Sequence, residues 1–403
     1  MNILHWLLKP KRIYLDHAAA TPVRPEVYRA MRPYFNESFA NPSSIHKEGV
    51  RARTAVEGAR TSVARTLGVR PSDTTFTSGG TESNNLALHG FVRSCHRGGM
   101  KYSDIGIISN KAEHPSVLQT LAELESRGCT VTYVPLEEDG RINPQTLKAH
   151  LTPTTRLATF AYANSETGVV QDLAKLTRII QEYAREHGTE VLVHTDASQV
   201  PLWLPCGLER LRVDMMTLDA GKFCGPKGVG VLVHRGHTTL APVTFGGSQE
   251  QGLRPGTENV PGVVGAAAAL AIAQNGSEAR SQQVRTVRDY GIEVLTGIEG
   301  VVLNGSVEQR LPNNINISIP GLDTEYATVV LDANGIAAST KSACSGAGGG
   351  MSTVVFEMTK DSARASATLR LTLGEETTRK DMDRVREILA AHIHKMLIYR
   401  GIK

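Results

Sequence analysis

The 403-residue sequence lacks any long hydrophobic run. Its longest, Gly262 to Ala273, is 12 residues of mostly Ala and Gly, against the roughly 20 needed to span a bilayer, so no membrane partner is expected. Ile3–Leu8 is mostly apolar but short, and Lys9, Lys11 and Arg12 follow it instead of preceding it. That is the reverse of a secretory signal, and a cytoplasmic protein is expected. Cysteine is scarce: Cys95, Cys129, Cys206, Cys224 and Cys344 are odd in number and form no CxxC pair. Neither a disulfide framework nor a zinc site fits, and no metal is expected. Lys and Arg outnumber Asp and Glu by only 44 to 40, a net +4 with no dense basic stripe, which argues against a nucleic-acid partner.

What is present is a globular balance, 40% hydrophobic and 21% charged residues, on a chain long enough for two to three domains at about 150 residues each. From about residue 50 to 235, brief apolar runs alternate with helical patterns. Val50–Leu67 has helical spacing, and strands are expected at Gly106–Ser109, Thr130–Val134, Leu157–Tyr162, Val191–His194, Met215–Leu218 and Val229–Val233. Continuous apolar runs between helices predict a mostly parallel sheet covered on both faces, an α/β core. The C-terminal third predicts a smaller α+β domain: helices at Val284–Ile298 and from Met382 to Leu397 behind an N-cap at Thr378, with strands near Asn314–Ile319 and Thr368–Leu373. The expected division is a large domain over 26–265 and a small one made of 1–25 and 266–403.

Three segments carry chemistry. Thr75 to Asn85 runs from a strand through Gly79-Gly80-Thr81 into a helix, where glycines and free helix-start amides suit a phosphate. It matches neither GxxxxGK[ST] nor GxGxxG, and taken alone it reads equally as a turn capped by Thr81 or Ser78. Asp196 follows a strand, where ligands lie in open α/β sheets, or where an aspartate simply caps the next helix. Lys222, among glycine turns after another strand, suits covalent attachment to a carbonyl; it reads equally as a solvated surface lysine. Together, an anion cradle, a strand-end acid and a strand-end lysine match what pyridoxal phosphate (PLP) requires.

In order and wording these segments resemble the cysteine desulfurases of the nitrogenase and iron–sulfur-cluster type, a branch of the class-V aminotransferase-like PLP enzymes. The resemblance runs through Tyr14-Leu15-Asp16-His17, Asn41-Pro42-Ser43-Ser44-Ile45-His46, Gly79 to Asn85, Glu113-His114, Asn164-Ser165-Glu166-Thr167-Gly168, the Asp196 and Lys222 segments, Arg254 to Asn259, Ser342-Ala343-Cys344-Ser345 and Leu369 to Gly374. It implies fold type I, with a mostly parallel seven-stranded sheet in the large domain and a small α+β domain carrying the cysteine loop. It implies PLP as cofactor, L-cysteine as substrate, a sulfur-accepting or scaffold protein as partner, and a homodimer. In that site Lys222 would carry PLP covalently and move the Cα proton, Asp196 would pair with the ring nitrogen, Gln199 would bond the phenolic oxygen, and His114 would stack on the ring. Gly80 and Thr81 would hold the phosphate, joined by Thr257 from the neighbouring subunit. Asn164 and Arg370 would clamp the substrate carboxylate, and His17 would lie near the substrate. Cys344, in a Gly/Ser-rich loop, would be the nucleophile that takes the sulfur.

The sequence departs from the family at two places. Asp219 stands where a serine is usual, and Gly221 where a histidine is usual, just before the lysine. A carboxylate beside a phosphate is repulsive unless it turns away or a cation intervenes. After Cys344 the sequence reads Gly-Gly-Gly-Met, where relatives tend to begin a Leu-Glu-Pro-like helix. A selenocysteine lyase or aminotransferase of the same fold, or a weakly catalytic assembly partner, would share most of these residues.

Overall fold

The computed structural model describes residues 12–340 and 350–399 of the chain. Its strands are β1 (Ile13–Tyr14), β2 (Thr74–Thr77), β3 (Gly106–Ser109), β4 (Thr130–Tyr133), β5 (Thr155–Thr159), β6 (Leu192–Asp196), β7 (Met215–Asp219), β8 (Gly230–His234), β9 (Val302–Leu303), β10 (Asn314–Ser318), β11 (Ile336–Ala337) and β12 (Thr368–Thr372). Seven of them form one sheet in the order β2-β8-β7-β6-β5-β3-β4. Every pair is parallel except the two made by β8, which runs antiparallel to β2 and β7. Because β8 is reversed between them, β2 and β7 point the same way. The carboxyl ends of β2, β3, β5, β6 and β7 therefore open on one edge, where an open α/β sheet binds its ligands.

Apart from the edge strand β4, the strands of this sheet are short and largely buried on both faces, as helices on either side require. Helix α1 (Lys47–Leu67) buries Ala52, Val56, Ala59 and Val63, and α2 (Gly80–Arg97) buries Leu86, Ala87, Leu88 and Phe91. A second, antiparallel sheet has the order β12-β10-β9, and β1 pairs with β11. An isolated bridge from Ser339 to Arg370 and another from Asp16 to Thr372 join the ends of β11 and β1 to β12. These contacts place Asp16 and Arg370 beside the edge of the large sheet.

The turn Asn164–Gly168 is where the two sheets meet. Gly168 has a φ of 74°, and a Cβ there would lie 2.5 Å from Asn314 of β10, so only glycine fits. Its carbonyl accepts the Leu311 amide, and the Glu166 carbonyl accepts the side-chain amides of Asn314 and Asn316. Arg310, also buried, donates to the Thr167 carbonyl at 2.7 Å.

A candidate active site at the carboxyl edge of the sheet

The edge encloses a cavity of about 160 Å³ whose lining includes Gly80, Thr81, His114, Asn164, Asp196, Gln199, Lys222 and Arg370. Eight residues singled out in the sequence thus converge from six separate segments. One of the expected cofactor contacts does not join them. Thr257 is exposed on the loop before the helix Val260–Gln274 and does not line the cavity of its own chain. Cys344 lies outside the described residues. His17 is buried 3.3 Å from Glu376 and lines a neighbouring cavity with Cys224 and Arg24.

Asp196, at the end of β6, is held by two bonds: Asn84 donates to Oδ2 at 2.7 Å and the Ser198 amide to Oδ1 at 2.9 Å. The same Asn84 amide group donates to Ser116 Oγ at 2.8 Å. Ser116 Oγ lies 2.7 Å from His114 Nδ1, which also accepts the Ser116 amide and so caps the helix Pro115–Ser126. Nδ1 is therefore unprotonated. Burial, reinforced by the Lys222 charge, lowers the His114 pKa against the opposing pull of Asp196 and Asp219. A neutral ring follows at pH 7, as stacking on an aromatic ligand requires.

Lys222 follows β7 directly, and its Nζ donates to the carbonyls of Ala18 at 3.0 Å and Ala19 at 2.7 Å. Gln199 donates to the same Ala18 carbonyl at 3.0 Å. Lys227, the other lysine of the segment, turns away to the Thr21 carbonyl. The Arg370 side chain is almost wholly buried; it donates to Asp16 at 2.9 Å and to the Ser165 carbonyl at 3.0 Å, while its Nε has no hydrogen-bond partner. A buried guanidinium in the lining of a cavity favours an anionic ligand group. Asn164 lines the cavity, and its amide uses one of its two N–H donors and its oxygen within the turn. Nδ2 donates to the Ala112 carbonyl, and Oδ1 accepts from the Glu166 amide and from the amide and hydroxyl of Thr167.

The anion cradle differs from its sequence reading. Neither Thr81 nor Ser78 caps α2: Gly79 is the cap residue without a side-chain bond, and the Gly80 amide donates instead to Asp219 Oδ2 at 3.3 Å. Asp219 has not turned away, and among the described residues it forms no ion pair. Ser198 Oγ, whose contact with a Cβ at Gly80 would be 3.2 Å, is buried without a partner.

Four residues at this edge were not assigned roles from sequence: Asn84, Ser116, Asp16 and Glu113. Asn84 had a signal, since it lies one helical turn after Gly80 and so on the same face. Glu113 is fully buried; it accepts from the Ala161 amide at 2.9 Å and from Asn110 at 2.7 Å. Burial raises its pKa to about 8, helped by the Asp196 charge and opposed by those two bonds. An unfolded Glu ionises near 4.5, so folding is penalised progressively as pH rises from 4.5 to about 8. Glu113→Gln is therefore expected to gain stability relative to the wild type across that window, and urea midpoints at its two ends check it. A constant difference between the two proteins would mean Glu113 ionises normally.

The described thiols are poor nucleophiles: burial raises the pKa of Cys95, Cys129, Cys206 and Cys224 alike. Among the described residues no cluster of three or more His, Cys, Asp or Glu is placed to hold a metal, and no helix is long and apolar enough to cross a membrane.

An α/β sheet whose carboxyl edge holds a lysine, a fixed aspartate and a buried arginine in one cavity defines a class of lysine-bearing, anion-binding enzymes. The chain belongs to the class-V aminotransferase family, whose model matches residues 13–385, and its branch is that of the cysteine desulfurases. A cysteine desulfurase IscS of Dictyoglomus turgidum is 39% identical over 387 residues, 96% of this chain and 95% of the relative. One of Methanosarcina thermophila is 37% identical over 96% of this chain and 93% of its own length. Among solved structures, a NifS-like protein superposes with a TM-score of 0.87 at 33% identity, covering 95% of this chain and 99% of the other. A structure described as SspA in complex with cysteine gives 0.76 at 32% identity, over 91% and 100%.

Proposed function

We propose that this chain is a PLP-dependent cysteine desulfurase: it converts L-cysteine to L-alanine and carries the sulfur as a persulfide on Cys344 for transfer to an acceptor protein. The observation that carries this reading is the convergence of Lys222, Asp196 and Arg370 on one cavity.

The residues present fit the cofactor at most of its points. Lys222 would hold it covalently, Asp196 would bind the ring nitrogen, His114 would cover one ring face, and Gln199 would reach the phenolic oxygen. Gly80, Thr81 and the unpartnered Ser198 hydroxyl would take the phosphate, with Thr257 supplied by a second subunit in a homodimer. When bound, PLP supplies an electron sink for negative charge at the substrate Cα.

The remaining chemistry belongs to the chain. Asn84 fixes the orientation of the Asp196 side chain. Lys222 Nζ, released from the Ala18 and Ala19 carbonyls, removes the substrate Cα proton and later returns a proton to carbon. Arg370 Nε takes the substrate carboxylate, while its other nitrogens stay tied to Asp16 and Ser165. Asn164 Nδ2 keeps one N–H on Ala112 and would give its second N–H to that carboxylate, while Oδ1 shapes the turn that offers Ser165 to Arg370. Cys344 thiolate attacks the substrate sulfur, so a sulfur–sulfur bond forms as the carbon–sulfur bond breaks. The bonding pair stays with carbon, which gains a proton and becomes the alanine methyl group. Sulfur is oxidised and carbon reduced, and no outside oxidant is needed.

The test is the stoichiometry of products from L-cysteine. One alanine per sulfur is expected, with sulfide appearing only when a thiol reductant or an acceptor discharges the enzyme. Release of pyruvate or of a transaminated product would sink the reading.

A further inference from the structure

Resting on the cofactor reading above, the structure assigns Asp219 a further role: its carboxylate is a built-in anion in the phosphate cradle that sets how tightly the cofactor is retained. Oδ2 accepts the Gly80 amide at 3.3 Å and Oδ1 accepts the Gly221 amide at 2.9 Å. The Gly80 amide opens α2, an 18-residue helix whose N-terminal partial charge is the natural partner of an anion. Asp219 already takes that partner.

Beyond those two amides, no cation among the described residues pairs with the carboxylate. Lys222 donates to Ala18 and Ala19, and Lys227 to Thr21. Arg370 is paired with Asp16. A phosphate, carrying about −1.5 to −2 charges near neutral pH, would therefore enter beside an unpaired negative charge. At separations of a few ångströms and a protein-like effective dielectric, such a repulsion exceeds a factor of ten in affinity. Gly221 belongs to the same arrangement. A Cβ there would press on Asp219 Oδ1 at 3.2 Å, so the glycine leaves the carboxylate room to keep both amides.

The test compares two ligands on protein stripped of cofactor. PLP and pyridoxal share the ring and the aldehyde, but only PLP carries the phosphate. Asp219→Asn keeps the shape and an acceptor for the Gly80 amide while removing the charge; Asp219→Ser is the second variant, should the amide disturb folding. Both are expected to bind PLP at least about tenfold more tightly than the wild type, with pyridoxal affinity unchanged, read by absorbance titration. Equal affinity of wild type and variants for PLP would overturn the inference and leave the cofactor reading standing. Parallel changes for both ligands would also overturn it, because a purely structural role moves the two together. If neither wild type nor variants bind PLP, the cofactor reading falls, and the inference with it.

Discussion

Lys222→Ala will lower L-cysteine desulfuration by about 10²–10⁴-fold or more, the range lost when a proton-transferring group is removed, and will end covalent attachment of the cofactor. The expectation comes from position. Lys222 follows the strand-end Asp219, lines the cavity, and is held by two backbone carbonyls it can release without stranding a buried charge. The nearest lysine in sequence cannot replace it, because Lys227 is directed to Thr21 outside the lining. Borohydride reduction of the holoenzyme followed by peptide mapping checks the assignment. Label on the peptide carrying Lys222 is expected; label on Lys227 would move the covalent chemistry to a different part of the turn.

The second large effect concerns sulfur. Cys344→Ser will retain cofactor and bind L-cysteine, yet release alanine at no more than background levels, about 10²-fold or further below the wild type. A hydroxyl cannot accept sulfane sulfur, and no described thiol is ready to stand in. Cys224 lies only two residues beyond Lys222, but it is half-buried, desolvation raises its pKa, and it lines the neighbouring cavity. Cys206 is wholly enclosed, and burial pushes Cys129 up to about 11. Cofactor absorbance and product assays on the same preparation separate loss of chemistry from loss of binding. Near-normal turnover would remove Cys344 from the reaction.

The legible part of this fold was its locally encoded part. Gly106–Ser109 is a strand with the expected ends, and the Ala/Gly helix spans Val260–Gln274 around the expected Gly262–Ala273. Errors follow from using apolarity as a proxy for pairing. Leu157–Tyr162 was expected as one strand, but β5 runs Thr155–Thr159, because Phe160 and Tyr162 are buried without continuing it. Conversely, β6 continues to Asp196, since polar Thr195 and Asp196 pair with Met216 and Thr217 of β7. The two-residue strands β1, β9 and β11 have no periodicity to read; they exist only through partners far along the chain.

The site divides the same way. Residues that would meet cofactor or substrate directly stand in distinctive local wording, so Lys222, Asp196 and His114 could be named. Residues that act through others could not. Asn84 bridges Asp196 and Ser116 from another segment, and Asp16 meets Arg370 across 354 positions. Asn164 shows a mixture: it lines the cavity as its wording suggested, and the bonds of its Oδ1 to the Glu166 and Thr167 amides could not be read from sequence. Asp219 was legible as a departure, but only the structure shows both its oxygens on backbone amides.

The most direct test of a sulfur-carrying enzyme is to expose the holoenzyme to L-cysteine without reductant, alkylate it and map its cysteine peptides by mass. One additional sulfur on the peptide containing Cys344, absent from the Lys222→Ala enzyme and removed by a thiol reductant, is the predicted result. Additional sulfur on the peptide containing Cys224, or none on any peptide while alanine accumulates, would contradict it.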